Sequence, residues 1–94
     1  MSVHSVVWIQ GSDNYARLHF QNGQQFLATR TLKWFEHQLP QFIRLRKSVL
    51  VNPAHVTRCQ REHSRAILVT MRTGMAFQVA RRRVVSVAES LDLC

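Results

Sequence analysis

An Asn22-Gly23 dipeptide between two strand-like segments specifies the first element of the fold. In residues 15–20 polar and apolar side chains alternate, which is typical of a strand that faces a core on one side. Asn-Gly is the strongest short-range hairpin signal, because the tight turn needs residues that adopt positive φ. Residues 24–29 are therefore predicted to return as the antiparallel partner, and Ala16, Leu18 and Phe20 share one face of the preceding strand.

Short strands and turns continue along the chain, interrupted by two helical segments. Leu32, Phe35 and Leu39 recur at helical spacing, with Thr31 as N-cap and Pro40 as stop, which predicts a helix of about two turns. A second helix is predicted over residues 84–93, and strands at residues 6–10, 42–45, 49–51, 56–61, 66–71 and 75–79. The first of these strands is expected to end at a cluster of turn formers, Gly11 to Asn14. No connection is long enough for repeated parallel crossovers. The predicted fold class is mostly β, antiparallel, with two short α-helices, in one domain over residues 1–94.

The large apolar side chains are assigned to the core. Recognition of single-stranded RNA requires exposed aromatic side chains among basic ones, so burial of the aromatic residues makes RNA binding a weaker hypothesis. The assignment covers Trp8, Phe20, Phe26, Trp34, Phe35, Phe42 and Phe77, with Tyr15 as a further packing residue.

The charge balance favours a polyanionic partner. Thirteen Lys and Arg residues against five Asp and Glu give a formal net charge of +8, and eleven of the thirteen are arginine. Such a surplus indicates nucleic acid, an acidic membrane leaflet or an acidic protein; a basic surface without a function is the alternative. No segment approaches the ~20 apolar residues of a membrane span, and the N-terminus has no secretory signal pattern, so no membrane partner is expected.

The titratable residues are not arranged as an active site or a metal site. The five acidic residues are scattered along the chain, and the five histidines have neither a pairing four residues apart nor a carboxylate at ligand spacing. Cys59 and Cys94 have neither the spacing of metal ligands nor that of a disulfide framework. Both are expected to stay reduced, which favours the cytoplasm. We therefore expect no enzymatic activity, no cofactor and no metal.

The basic residues, in contrast, are grouped. Arg44, Arg46 and Lys47 fall within four positions, and a second cluster, Arg81–Arg83, lies at the start of the predicted last helix. Cations at the positive end of a helix destabilise it by about a few tenths of a kcal/mol. A phosphate bound there would reverse the sign of this interaction. The second cluster is thus a candidate phosphate site, with a solvated run of charges as the alternative.

Four segments of the chain carry motifs in a distinctive order and spacing. They are Trp8 to Gln10 with Ser12 to Tyr15, Thr31 to Lys33 with Leu39 and Pro40, Phe42 to Asn52, and Gly74 to Arg83. Taken together, these four segments resemble the LytTR family, the DNA-binding output domain of many bacterial response regulators. The third, FIRLRKSVLVN, is the most specific. Together they span about residues 6–91. The family's first short strands should precede Val6, where this sequence has only five residues, which indicates a trimmed or stand-alone domain.

The resemblance implies an elongated antiparallel β-sheet sandwich that binds double-stranded DNA through loops in successive major grooves. The positions that match the family's base contacts are Asn14, Lys47 and Arg82, and those that match phosphate contacts are Thr31, Arg46, Ser48, Arg81 and Arg83. The family also implies repeated half-sites and a possible homodimer on DNA. Two residues depart from its pattern: Arg46 replaces the usual histidine, and Ala80 replaces a serine that could cap the last helix.

The chemistry of these residue types agrees with the implied roles, and two alternatives stay open. Asparagine can pair with adenine through two hydrogen bonds, and arginine or lysine can read the guanine edge. Asn14 has an alternative interpretation as a turn residue that tolerates a left-handed conformation. The second hypothesis for the whole chain is a protein-interaction or ligand-sensing module that has this scaffold but does not bind DNA.

Overall fold

The computed structural model describes residues 2–92, which form eight strands and two α-helices. The strands are β1 (Val6–Ser12), β2 (Tyr15–Phe20), β3 (Gln25–Ala28), β4 (Ile43–Arg46), β5 (Val49–Val51), β6 (Val56–His63), β7 (Ala66–Met71) and β8 (Ala76–Gln78). The helices are α1 (Leu32–Gln38) and α2 (Val84–Leu91), and 3-10 turns occupy Val3–Ser5, Pro53–His55 and Arg81–Arg83. The second predicted helix thus ends near its expected bound; Leu93, where the prediction ends, lies outside the described residues.

The strands form two antiparallel sheets. The five-stranded sheet has the order β3-β2-β1-β5-β4, and the three-stranded sheet has the order β6-β7-β8. Every paired register is antiparallel, and the extents of 36 × 25 × 18 Å give an elongated shape. The predicted class, a mostly β antiparallel sandwich with two short helices, is confirmed.

Two hydrophobic cores lie on opposite faces of the five-stranded sheet. One core fills the space between the two sheets and α2, and the other lies under α1. The members of the first core include Val7, Leu45, Val51, Ile67, Val69, Phe77 and Val87, and those of the second include Ile9, Phe20, Leu32, Phe42 and Leu50. Because strand side chains alternate between faces, both cores are supplied by the same strands.

The hairpin predicted from Asn22-Gly23 is confirmed. β2 has the predicted bounds, and it pairs with β3 in an antiparallel register from Ala16↔Ala28 to His19↔Gln25. Gly23 has φ +88°, a conformation in which a side chain would be strained. The strand therefore ends here because Gly23 adopts a conformation that glycine favours, and this preference can be recognised from the sequence alone.

The first helix begins and ends as predicted, but Gly11 has a different role from the one expected of it. The Thr31 hydroxyl accepts a hydrogen bond from the Trp34 amide at 3.1 Å, which caps the helix. Gly11 was expected in the turn after β1, yet β1 continues to Ser12. A Cβ atom at Gly11 would lie 2.8 Å from Cδ2 and 2.9 Å from Cβ of Leu32. Glycine is required there because α1 packs directly on the strand.

Three aromatic assignments and one cysteine assignment are wrong. Phe26 is 57% exposed, Tyr15 44% and Trp34 37%. Phe26 lies on the edge strand β3, whereas α1 packs mainly on β1 and β5. Trp34 is not among the residues that pack in the core under α1. The other aromatic residues assigned to the core pack as expected. They are Trp8, Phe20, Phe42 and Phe77, with the partly buried Phe35 packed against them. Cys59 is not a free thiol; Cys94 lies outside the described residues.

Candidate nucleic-acid interface

Strand direction brings the segments of the candidate interface to one end of the five-stranded sheet. β1 runs antiparallel to β2 and β5, β2 to β3, and β5 to β4. The end of β1, the start of β2, the ends of β3 and β4 and the start of β5 therefore share one end of the sheet. This end carries the first turn (residues 13–14), the second turn (residues 47–48) and, three residues after β3, the N-cap of α1.

Backbone hydrogen bonds connect the second turn to both neighbouring segments. The Gly11 amide donates to the Ser48 carbonyl at 2.8 Å, which joins the end of β1 to the second turn. The Ala80 amide donates to the Leu45 carbonyl at 2.9 Å, which places the arginine turn (Arg81–Arg83) beside the end of β4. The β4–β5 hairpin is thus the central element, with the first turn on one side and the arginine turn on the other.

A cleft of about 440 Å³ opens between the first turn, the second turn and the start of α1. Seven of its lining residues have hydroxyl or charged side chains. These are Ser12, Asp13, Thr31, Lys33, Arg44, Lys47 and Ser48. The cleft is open to solvent and lined by three basic side chains against one carboxylate, so it is complementary to an anion.

The three residues matched to base contacts are all exposed. Asn14, Lys47 and Arg82 have side chains that make no hydrogen bond within residues 2–92, so each is available to a ligand. Asn14 and Lys47 belong to the two turns at the sheet end, whereas Arg82 belongs to the neighbouring arginine turn. Among the described residues only Asp92 combines a side chain with positive φ. A left-handed conformation is therefore not the reason for asparagine at position 14.

The five residues matched to phosphate contacts differ in accessibility. Arg46 and Arg81 are exposed, and Ser48 is half-buried with its carbonyl bound to Gly11. The Thr31 hydroxyl accepts the helix cap but keeps its own hydrogen for donation. Arg83 faces elsewhere: it lines a second cleft, behind β4, and its Nε atom is buried without a partner. Of the five, Arg83 has the weakest geometric case.

Two further basic residues belong to this surface, although neither is among the predicted contact residues. Lys33 lines the first cleft and Arg44 forms part of its wall. Arg44 makes the one ion pair within residues 2–92, at 2.8 Å to Glu36. Lys33 could have been found from its position two residues after Thr31. The inward orientation of Arg44 has no sequence signal, because it depends on where α1 lies.

His19 lies away from the sheet end and belongs to the packing between the sheets. Its ring stacks on Trp8 at 4.2 Å between centroids with a 4° interplanar angle, and Trp8 packs on Phe77 of β8. Burial lowers the pKa of His19 below the ordinary 6.5, and the positive charge of Arg17 lowers it further. A neutral ring on an aromatic partner is a packing group. Within residues 2–92 no cluster of three His, Cys, Asp or Glu side chains could hold a metal ion.

Comparison with known proteins agrees with the fold. The sequence model of a family described as the LytTr DNA-binding domain matches residues 1–92. The fold is similar to a solved structure described as the LytTr DNA-binding domain of a methyl-accepting/DNA response regulator from Bacillus cereus. The TM-score is 0.86 at 20% sequence identity, over 97% of this chain and 84% of that one. No curated protein matches the chain, and none of its described helices is long and apolar enough to cross a membrane. Because the family match spans almost every residue, the chain belongs to the LytTr DNA-binding domain family.

Proposed function

We propose that the chain is the sequence-specific, double-stranded DNA-binding domain of a bacterial transcription regulator, and that its loops enter major grooves. The observation that carries the proposal is the meeting of two exposed turns at one end of a sheet in a domain of net charge +8. Asn14 and Lys47 extend from these turns with free side chains. A loop on a rigid sheet can hold such groups in a fixed geometry.

The exposed residues divide into base contacts and phosphate contacts. Asn14, Lys47 and Arg82 are the base contacts, since amide and basic side chains recognise adenine and guanine edges in the major groove. The phosphate contacts are Thr31, Arg46, Ser48 and Arg81, to which we add Lys33 from the cleft. Arg83 is the weakest of the matched positions, because it lines the second cleft. Phosphate contacts set the register of the domain on the duplex and supply the salt-sensitive part of the affinity.

The remaining features of the proposal follow from DNA binding. Residues 1–94 act as one domain, without catalysis, in the cytoplasm where bacterial DNA is located. Two copies bind repeated half-sites near one helical turn apart, so that both occupy the same face of the duplex. A homodimer then forms on DNA rather than before binding.

The test is a selection of bound sequences from a random duplex pool, followed by affinity measurements at several salt concentrations. If about five phosphates are neutralised, log affinity should fall against log salt with a slope of about −4 to −5. One enriched sequence motif with this slope supports the proposal. Equal binding of all duplexes contradicts sequence specificity, and no binding at low salt contradicts DNA recognition.

A protein-interaction module is the second candidate, and one surface favours it. Phe26 and Leu27, on the edge strand β3, are 57% and 50% exposed. Beside them is an apolar depression lined by Val3, Leu18 and Phe20 among others. Exposed apolar edges pair with other chains. The test is the Phe26→Ser variant. If it weakens transcription regulation in cells while the purified variant still binds the selected duplex with unchanged affinity, the chain has a protein-interaction function in addition to DNA binding.

A further inference from the structure

Arg44 uses each of its three side-chain nitrogens inside the domain. Nε donates to the Arg46 carbonyl at 3.0 Å, Nη2 donates to the Lys47 carbonyl at 2.6 Å, and Nη1 donates to Glu36 Oε1 at 2.8 Å. The side chain is only 14% exposed. Although Arg44 belongs to the basic cluster of the sequence, its guanidinium faces the second turn and α1 instead of a ligand.

The second turn needs this support because its residues do not form a favoured hairpin turn. Residues 47–48 connect the paired residues Arg46 and Val49 as a two-residue loop. Such loops favour turn types with positive φ, yet neither Lys47 nor Ser48 has positive φ. The register between β4 and β5 also shifts between Arg44 and Arg46, which interrupts the ladder. The two carbonyls that Arg44 binds, those of Arg46 and Lys47, lie immediately after this interruption.

Glu36 connects this turn to the rest of the interface. It lies on α1 and is 38% exposed in its side chain, whereas its partner Arg44 is largely shielded. The N-cap of the same helix, Thr31, lines the cleft together with Lys47. One ion pair therefore joins the helix on one wall of the cleft to the turn on the other.

We propose that Arg44 and Glu36 are positioning residues: together they hold the second turn in the shape that reads DNA, without contacting DNA themselves. The inference rests on the proposed DNA binding and deepens it, because it assigns sequence preference to a contact behind the interface. A phosphate contact by Arg44 is the competing role, and the two roles predict opposite effects of charge.

The experiment compares two variants with matched controls. Glu36→Gln removes the partner of Arg44 and raises the net charge by one. Glu62→Gln makes the same charge change on the exposed end of β6. Arg44→Lys keeps the charge but cannot make three hydrogen bonds in a fork, and Arg58→Lys is its control on the same strand as Glu62. The probes are the duplex selected by the unmodified protein and a scrambled duplex of equal length.

A positioning role predicts that Glu36→Gln weakens binding to the selected duplex by roughly three- to tenfold. Binding to the scrambled duplex should match that of Glu62→Gln. In a Lys47→Ala background, Glu36→Gln should change binding no more than Glu62→Gln does, because the residue that it positions is gone and only the change in net charge remains. If Glu36→Gln instead tightens binding to both duplexes as Glu62→Gln does, the proposal is overturned. It is overturned also if Arg44→Lys weakens both duplexes equally and lowers the salt slope.

An NMR measurement without DNA separates this proposal from the proposed function. In Glu36→Gln and Arg44→Lys, the amide resonances of Lys47 and Ser48 should shift or broaden, while those of the β6–β7 hairpin stay unchanged. Unchanged Lys47 and Ser48 amides would overturn the positioning role even if DNA binding is established. Shifted amides in a protein that binds no duplex would leave Arg44 as the support of the turn and refute the DNA proposal alone.

Discussion

Substitution of Gly11 by alanine tests whether close packing of α1 on β1 builds the cleft. The added Cβ would lie 2.9 Å from Leu32 Cβ, against at least 3.4 Å in ordinary contact, so α1 must move by about 0.5 Å. Overpacking of this kind costs about 1–3 kcal/mol, and alanine recovers about 0.4–1 kcal/mol through the unfolded chain. The expected net loss in the free energy of unfolding is about 1.3 kcal/mol from the midpoints, within bounds of about 0–2.6 kcal/mol.

The assays are urea unfolding, thermal unfolding and DNA affinity of the folded protein. A loss of this size lowers Tm by on the order of 5–10 °C in a domain of this length. Leu32 lies between Thr31 and Lys33, which line the cleft. Its displacement should therefore also weaken DNA binding by roughly threefold, since interfaces tolerate shifts of about 0.5 Å poorly.

Gly23→Ala is the matched control. Its Cβ meets nothing within 4 Å, but the φ of +88° strains any side chain, so it should lose stability while the folded protein keeps its DNA affinity. If Gly11→Ala is as stable as the unmodified protein and the amide resonances of α1 do not move, the packing argument is refuted. Lost stability with unchanged affinity would retain the packing argument and reject its connection to the cleft.

Three further predictions concern single side chains. Arg82→Ala should cost about 1–3 kcal/mol of binding and relax the preference at one base pair, measured on the selected duplex and its point variants; equal weakening on every duplex would make Arg82 a phosphate contact. Thr31→Ala should lose about 1 kcal/mol of stability in urea unfolding with the helix cap, whereas Thr31→Ser should not. The pKa of His19 is lowered in the folded state, so the unfolded chain binds the proton more tightly. The contribution of His19 to the free energy of unfolding should be complete above pH 6.5 and should decrease as the pH drops below it. The decrease should be shallower in His19→Gln but not in His63→Gln. Identical pH profiles in the two variants would refute the assignment of this pH dependence to His19.

Short-range signals predicted most of the secondary structure because their physical causes are local. The Asn22-Gly23 turn requires positive φ within the dipeptide, and the Thr31 cap requires a hydroxyl three residues before an unpaired amide. The bounds of β2, β7 and α1 followed from such signals within a residue or two. The antiparallel class followed from the short connections, and the family resemblance followed from motifs that are contiguous in the chain.

Exposure and side-chain direction could not be predicted, since they depend on which elements become neighbours. Phe26 is exposed because β3 is an edge strand, whereas α1 packs mainly on β1 and β5. The position of β3 in the sheet cannot be predicted from the pattern of residues in β3 alone. In the sequence Arg44 cannot be distinguished from its basic neighbours Arg46 and Lys47, but in the fold its side chain pairs with Glu36 on α1 and is largely buried. In the sequence Gly11 is typical of a turn glycine, but in the fold it lies in a strand against Leu32.

Some features of the candidate interface could be predicted from the sequence, and others depend on the tertiary structure. The residue types in the two turns and the charge of +8 are properties of the chain and favour a polyanionic partner without any coordinates. The meeting of residues 13–14, 31–33 and 47–48 at one sheet end required the antiparallel order of five strands. Contacts between segments so far apart in the chain form only when the whole sheet assembles, so they cannot be predicted from local sequence patterns.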